Sequence, residues 1–234
     1  MFEASSCLEA TCLGGLKAFV LTDLHGRLSV SREMAYRAEE EDADLVVLCG
    51  DITHFGSVQT AKALLSPFIE SRLPLVFVPG NCDPPSLVGV EIGGAECIHG
   101  SRRFFGDVVF VGVGGSPYTP FRTPFEMDEE TIMDVLNRSV EGSLEGYRVV
   151  LVSHTPPKDT RLDLTLSGVH CGSSSVRRFI EEKKPSLVLC GHIHEAMGVD
   201  RIDGTLLANP GPARDGNYAL ARIDGELEVE LKHL

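Results

Sequence analysis

Residues 17–25 read Lys-Ala-Phe-Val-Leu-Thr-Asp-Leu-His, an apolar run followed at once by an acidic side chain and a histidine. Continuous apolar runs of this length predict strands that are buried on both faces, as in a parallel sheet covered by helices. Four later runs also end in polar side chains: 44–49 before Gly50-Asp51, 75–78 before Pro-Gly-Asn-Cys-Asp83, 147–152 before Ser-His154, and 186–190 before Gly-His-Ile-His194.

Segments with helical character separate several of these runs. We predict helices over residues 30–40, 57–70, 127–138 and 172–183. Ser29 or Ser31 is a candidate N-cap of the first helix, and Ser57 of the second, because their hydroxyls can accept from free backbone N–H groups. Strands that alternate with helices in this way indicate an α/β fold with parallel strands.

Other strands are spaced too closely for helical crossovers. Residues 96–98, 102–105 and 108–111 predict antiparallel hairpins, with glycines between them. Near the end of the chain, Asp203-Gly204 joins 198–202 to 205–208, and Asp224-Gly225 joins 218–223 to 226–231. Asp-Gly is a strong hairpin signal. We therefore expect a layered sandwich whose sheets mix parallel and antiparallel strands.

Length and composition limit the function classes. The 234 residues carry 34 acidic and 21 basic side chains, so the formal net charge is −13. This acidity disfavours nucleic-acid binding through a broad basic surface, and no apolar run is long enough for a membrane helix. We expect a single domain over residues 1–234, with 1–16 as an N-terminal extension of unknown role.

The seven cysteines include no Cys-x-x-Cys pair, and residues 1–15 lack the basic start of a secretory signal. A disulfide framework is not expected in a chain of this length and spacing. These features together predict a cytoplasmic protein.

The polar side chains after the predicted strands are the candidate site. In open α/β sheets, ligands bind at the carboxyl ends of the strands. Two carboxylates, one amide and four imidazoles exceed the needs of one tetrahedral ion and suit two ions such as Mn²⁺, Fe, Zn²⁺, Co²⁺ or Ni²⁺. The set is Asp23, His25, Asp51, Asn81, His154, His192 and His194.

In this order the motifs D-x-H, G-D, G-N-x-[DE], H and G-H-x-H resemble those of the calcineurin-like metallophosphoesterase superfamily. Gly50-Asp-Ile-Thr-His54, Gly191-His-Ile-His-Glu195 and Asn209-Pro-Gly211 are similar to the Icc-related predicted phosphoesterases. The resemblance extends from about residue 17 to the C-terminus. It implies a four-layer α/β/β/α sandwich with the site at the edge of its sheets.

The resemblance also implies roles for the seven residues. Asp51 would bridge two divalent ions, and a hydroxide between the ions would attack the phosphorus of a small phosphate ester in line. The first ion would be bound by Asp23, His25 and His194, and the second by Asn81, His154 and His192.

One position departs from the family pattern. The family's G-N-H-[DE] histidine, which in many members contacts the scissile phosphate and helps the leaving group depart, is Cys82 here. A thiol is a weak hydrogen-bond donor, so protonation of the leaving group needs another acid. His54 is the candidate substitute, and Cys82 is either a participant or a space-filler. Asp83 completes the candidate catalytic set and is expected to orient a neighbouring ligand or to cap the following turn.

Alternatives remain open at this level. A phosphodiesterase is favoured over a monoesterase because the leaving-group histidine is absent. The first rival is a catalytically weak or inactive metal-binding scaffold of the same fold, which Cys82 alone favours. The second is a nuclease, which the acidic charge disfavours. His170 precedes a helix N-terminus that could receive a phosphate, or is an ordinary loop residue. The oligomeric state cannot be read from the sequence.

Overall fold

The computed structural model describes residues 15–234. The predicted N-terminal extension lies almost entirely outside this part of the chain. Twelve strands and four α-helices follow one another in these residues. They are β1 (Leu16–Leu21), α1 (Leu28–Glu40), β2 (Leu45–Leu48), α2 (Val58–Glu70), β3 (Leu75–Phe77), β4 (Ala95–Cys97), β5 (Arg102–Phe105), β6 (Val108–Val113), α3 (Glu129–Ser139), β7 (Arg148–Ser153), α4 (Ser174–Lys183), β8 (Leu187–Leu189), β9 (Gly198–Ile202), β10 (Thr205–Asn209), β11 (Asn217–Ile223) and β12 (Leu227–His233).

The strands form two six-stranded mixed sheets. The first has the order β12-β11-β1-β2-β3-β4, and the second β5-β6-β7-β8-β10-β9. Strands β1 to β4 are parallel to their neighbours in that series, as are β6, β7, β8 and β10 in theirs. The carboxyl ends of the central strands therefore share one edge in each sheet.

Three apolar clusters hold four layers together. One cluster lies between the first sheet and helices α1 and α2, and another between the second sheet and helices α3 and α4. The third fills the space between the two sheets and includes Phe110, which is fully buried. Alternate residues of β1 serve different clusters, since Phe19 faces the helices and Val20 the opposite sheet. The α/β/β/α sandwich implied by the resemblance is confirmed.

The helices occur where they were predicted, but one predicted cap is wrong. The Ser57 hydroxyl accepts from the backbone N–H of Thr60, which confirms Ser57 as the N-cap of α2. Helix α1 begins earlier than expected, with Arg27 at its N-cap and no side-chain cap. Ser29 and Ser31 therefore lie inside the helix, and the Ser31 hydroxyl donates to the carbonyl of Leu64 on α2. This contact between helices replaces the predicted cap.

The prediction that residues 96–98 belong to an antiparallel hairpin is wrong. Strand β4 pairs in parallel with β3 at the edge of the first sheet, whereas β5 and β6 form an antiparallel hairpin in the second. A three-residue strand carries too little pattern to specify its neighbour, and closeness in sequence is a poor guide here. The two predicted Asp-Gly hairpins, β9–β10 and β11–β12, are confirmed.

None of the helices within residues 15–234 is long and apolar enough to cross a bilayer. The cysteines in this part of the chain carry free thiols: Cys49, Cys82, Cys97, Cys171 and Cys190.

Candidate metal centre

The seven polar residues singled out in the sequence come from five strand ends. They follow β1, β2 and β3 in the first sheet and β7 and β8 in the second. Because these ends lie at one edge of the sandwich, side chains that are up to 171 positions apart in the sequence reach hydrogen-bonding distance. The fold brings all seven into one cluster.

The first group of side chains joins the ends of β1 and β8. Nε2 of His194 lies 3.1 Å from Oδ1 of Asp23 and 3.1 Å from Nε2 of His25. Nε2 of His25 lies 3.5 Å from the same Asp23 oxygen, and both of these side chains are almost fully buried. The three donor atoms all lie within 4.8 Å of one another, close enough to share one metal ion.

The second group joins the ends of β3, β7 and β8. Nε2 of His154 lies 2.8 Å from Oδ1 of Asn81. The rings of His154 and His192 meet edge to face, with centroids 5.0 Å apart. His192 also donates its backbone N–H to Oδ2 of Asp23, which connects this group to the first.

Asp51 lies between the two groups. Its Oδ2 is 3.6 Å from Nε2 of His25, and its Oδ1 is 3.5 Å from Nε2 of His154. Oδ1 also accepts the backbone N–H of Cys82 at 2.8 Å, which orients the carboxylate. Each oxygen of one buried side chain therefore faces a different group.

The backbone at the site adopts a costly conformation. Asp23, His25, Asp51 and His192 all have positive φ, between 45° and 70°. Non-glycine residues in this region cost of order 1–3 kcal/mol each and concentrate at functional sites. Aspartate and histidine tolerate this region better than most residues, and the surrounding fold must supply the remaining energy.

Close backbone packing explains Gly191, which precedes His192. A Cβ at Gly191 would collide with the hydroxyl of Thr22 and lie 2.7 Å from Oδ2 of Asp23. That hydroxyl donates to the same Asp23 oxygen at 2.7 Å. Glycine therefore lets the loop after β8 lie directly against the loop after β1.

The charges at the site follow from burial and hydrogen bonding. Burial alone would raise the pKa of Asp23, but hydrogen bonds from His194 and His25 outweigh it and bring the pKa well below its usual range. Burial, followed by the charge of the nearby His154, lowers the pKa of His192 to about 4. Burial also opposes protonation of His194, but its hydrogen bond to Asp23 raises the pKa overall. An anionic carboxylate and a neutral imidazole, as at Asp23 and His192, are the forms that bind metals.

The surroundings of His154 test whether the site suits a cation. Nδ1 of His154 lies 2.7 Å from the carbonyl oxygen of Cys49, which can only accept, so Nδ1 carries the ring proton. In the neutral ring, Nε2 then presents a lone pair to the Asn81 oxygen, another acceptor. A cation bound by both atoms would relieve their repulsion. Oxygen and imidazole donors without thiolate suit Mn²⁺, Fe, Zn²⁺ or Co²⁺.

Cys82 lies at the site, but its thiol is a weak acid and a weak hydrogen-bond donor. Its side chain is buried, and burial followed by the charge of Asp51 raises the pKa of the thiol. The thiol therefore stays protonated at neutral pH, and its nearest polar neighbour is the Asn81 amide, with Nδ2 3.7 Å from Sγ. The position holds a weak donor that can neither carry positive charge nor accept a proton readily.

His54 lies at the surface beside the cluster, whereas Asp83 is buried behind it. The exposed ring of His54 lies beside the first group, with its Nδ1 3.3 Å from Nδ1 of His25. Asp83 is fully buried and accepts backbone N–H groups of Ile52, Thr53 and Gly80 at 2.7–3.1 Å. Burial, then the charge of Asp51, raises the pKa of Asp83 to about 6. Asp83 thus ties the loop after β2 to the loop after β3, a positioning role.

His170 does not prepare a helix N-terminus for phosphate. The Glu129 carboxylate from α3 already accepts the backbone N–H groups of Ser174 and Ser175 at the start of α4, both at 2.9 Å. His170 instead lies 2.7 Å, through Nδ1, from Oδ1 of the buried Asp163. An anion site at this helix is therefore excluded, because a carboxylate of the protein occupies it.

Sequence reasoning missed one cation at the site. Nη2 of Arg214 lies 3.1 Å from Nδ1 of His194. Arg214 follows β10, which is parallel to β8 and ends at the same edge. The rule that located the other seven residues would have found it, had the segment after Asn209-Pro-Gly211 been searched as a strand end.

Comparison with known proteins identifies a matching family model and relatives of similar sequence. The family model described as calcineurin-like phosphoesterase matches residues 16–196. An uncharacterized protein of Methanocaldococcus jannaschii is 37% identical over 204 residues, which cover 84% of this chain and 88% of that protein. The 3′,5′-cyclic adenosine monophosphate phosphodiesterase CpdA of Escherichia coli is 23% identical over 176 residues, which cover 75% of this chain and 63% of CpdA.

Solved structures share the fold. TT1561 of Thermus thermophilus superposes with a TM-score of 0.74 at 19% identity, covering 94% of this chain and 99% of that one. A dimetal phosphatase from Danio rerio has a TM-score of 0.66 at 13% identity, covering 94% and 96%. The chain belongs to the calcineurin-like phosphoesterase family, whose members are divalent-metal-dependent hydrolases of phosphoric esters.

Proposed function

We propose that this protein is a phosphodiesterase with a binuclear metal centre. The observation that carries the proposal is the position of Asp51, whose two oxygens face different groups of metal-binding side chains. A carboxylate in that position suits a bridge between two ions. The similarity to CpdA and to an archaeal phosphodiesterase structure (TM-score 0.55, 16% identity, covering 94% of this chain and 100% of that one) is consistent with this chemistry.

Two sets of three donors complete the proposed centre. Two divalent ions, when bound, would lower the pKa of water and stabilise the negative charge that develops on phosphate oxygens. Asp51 would contribute one oxygen to each ion. Asp23, His25 and His194 would hold one ion, and Asn81, His154 and His192 the other.

The protein's own groups prepare this centre. The carbonyl of Cys49 fixes the His154 tautomer, so that Nε2 is free to bind. Thr22 and the backbone N–H of His192 hold Oδ2 of Asp23, which leaves Oδ1 facing the two rings of the first group. Asp83 joins the loops that carry Asp51 and Asn81. The His154 and Asp23 side chains and the loops of Asp51 and Asn81 are thus oriented before substrate arrives, which reduces the reorganisation needed during the reaction.

The choice of an aryl ester as the test substrate rests on leaving-group chemistry. Cys82 holds a protonated thiol with a raised pKa, so it is a poor acid for a departing alkoxide. His54 is exposed and in contact with His25, so it is placed to donate a proton to a leaving group on the solvent side of the first ion. We therefore expect esters with good leaving groups to react fastest, and an aryl diester is the appropriate first substrate.

The test is hydrolysis of bis-p-nitrophenyl phosphate by metal-stripped protein, before and after addition of Mn²⁺. We expect turnover only with the ion, and bound metal near two ions per chain by elemental analysis. Asp51→Asn should lower turnover by at least about 100-fold, since losses of 10- to 100-fold are typical even for outer partners of ligands. Asp134→Asn is the matched control, because Asp134 is exposed on α3 and lies outside the cluster.

The outcomes separate the proposal from its rivals. Full turnover by chelated protein would refute metal dependence. Bound metal without turnover on the diester or on p-nitrophenyl phosphate would favour the scaffold, and preferential cleavage of DNA or RNA would favour the nuclease. Faster reaction of p-nitrophenyl phosphate than of the diester would replace phosphodiesterase by phosphatase.

A further inference from the structure

Arg214 is held against the candidate centre from the β10 side. After β10 ends at Asn209, a short 3₁₀ turn over Ala213–Asp215 packs on the loop that carries Asp23. The backbone N–H of Ala213 donates to the carbonyl of Thr22 at 2.8 Å, and that of Arg214 donates to the carbonyl of Asp23 at 3.2 Å. These bonds fix the start of the Arg214 side chain beside the first group of ligands.

The positive charge of Arg214 is poorly compensated. Its ion pair with Asp215 is long, at 3.8 Å, and the Asp215 side chain is 61% exposed, so the pair contributes little. The closest polar contact of the guanidinium is instead an imidazole, Nδ1 of His194. Within residues 15–234, no other lysine or arginine forms a hydrogen bond or ion pair with any of the seven clustered side chains.

The contact with His194 cannot persist once that ring binds an ion through Nε2. A neutral imidazole has one ring proton. If Nε2 donates its lone pair to an ion, the proton must be on Nδ1, which then no longer accepts from Arg214. The guanidinium then needs another acceptor close to the first ion. A phosphate oxygen is such an acceptor, and the planar fork of arginine suits two oxygens of one phosphate.

The chemistry of Cys82 creates the need for such a cation. The resemblance to the family places a phosphate-contacting histidine at this position, but a cysteine side chain cannot carry a positive charge and is a weak hydrogen-bond donor. The guanidinium of Arg214, which follows β10 of the second sheet, would supply both a positive charge and hydrogen-bond donors. We propose that Arg214 binds the non-bridging oxygens of the substrate's phosphate group, an inference that rests on the proposed phosphoesterase function.

The experiment measures binding of inorganic phosphate to Mn²⁺-loaded protein by titration calorimetry, which does not depend on turnover. Charge-assisted hydrogen bonds predict that Arg214→Gln weakens phosphate binding by about 10- to 100-fold. Arg214→Lys should show a smaller loss, because lysine keeps the charge without the fork. Arg222→Gln is the control. Arg222 is exposed on β11 and pairs with Lys17 near the start of β1, at the end of that strand away from the site.

Bound Mn²⁺ is measured in every variant. Unchanged phosphate affinity in Arg214→Gln, with metal retained, would overturn the assignment. Loss of metal in both Arg214 variants would also overturn it, because Arg214 would then position His194 rather than bind phosphate. If the wild-type protein shows Arg214-dependent phosphate binding but no metal-dependent turnover, the proposed enzyme fails while the assignment of Arg214 as an anion-binding residue stands.

Discussion

Gly80→Ala tests the packing that holds Asp51 in place. A Cβ at residue 80 would lie 2.7 Å from Cγ of Asp51 and closer still to Oδ1 and to the Asp51 backbone nitrogen. Ordinary van der Waals contacts begin at 3.4 Å, so Cγ of Asp51 must move away by about 0.7 Å, and Oδ1 and the Asp51 backbone nitrogen by more. Gly80 does not have the positive φ that would strain alanine, so the substitution tests space alone.

The expected magnitude follows from that displacement. Misplacement of reacting groups by about 1 Å costs of order 100-fold in rate. We therefore predict a 10- to 100-fold loss in both Mn²⁺ affinity and diester turnover for Gly80→Ala. Overpacking also costs about 1–3 kcal/mol of stability. Titration calorimetry with Mn²⁺, turnover of bis-p-nitrophenyl phosphate and urea unfolding measure the three effects separately.

Gly93→Ala is the matched control, because a Cβ there meets no atom within 4 Å and the backbone φ is unstrained. It should leave metal affinity and turnover unchanged. Wild-type metal affinity in Gly80→Ala would refute the claim that this close approach positions Asp51. Loss of stability without loss of metal affinity would show that the collision is relieved away from the carboxylate.

Three further substitutions test the helices, the core and the leaving group. Burial would raise the pKa of Glu129, but hydrogen bonds from Ser173 and from the start of α4 outweigh it and lower the pKa. The ionised carboxylate therefore stabilises the folded protein above the unfolded-state pKa of about 4.3, and this stabilisation is lost as pH falls through the folded-state pKa. Glu129→Gln should therefore flatten the fall in urea stability between pH 5 and 3, and an unchanged slope would contradict the capping role. Phe110→Ala, in the cluster between the sheets, should cost about 3–5 kcal/mol in urea unfolding, whereas Phe121→Ala, 83% exposed, should cost little; equal losses would refute the core assignment. Cys82→His should speed hydrolysis of alkyl esters more than of aryl esters, and no relative gain in their measured rates would count against thiol-limited protonation.

The sequence alone was sufficient for the central strands because their signal is local. A run such as 17–22 is apolar at nearly every position, and only a strand covered on both faces buries such a run. The side chains after these runs could then be grouped without knowledge of the sheet order, since parallel strands end at one edge. The motif order alone was enough to suggest the family, which the comparisons established.

Local pattern failed where long-range contacts decide. Strand β4 pairs with β3 in the first sheet, although β5, which follows it closely in the sequence, belongs to the second sheet. Helix α1 begins before Ser29, and the Ser31 hydroxyl bonds to the Leu64 carbonyl of α2 instead of capping the helix. Neither outcome is encoded in the few residues concerned.

The identity of the seven clustered residues was therefore available from the sequence, and their arrangement was not. The position of Asp51 between two groups depends on strands from both sheets meeting across one apolar layer. The carboxylate of Glu129 at the start of α4 and the guanidinium of Arg214 beside His194 likewise come from distant segments. Motifs specify which side chains occur after a strand, because that information is contiguous. Only the packing of the two sheets determines which of these side chains meet and which charges they face.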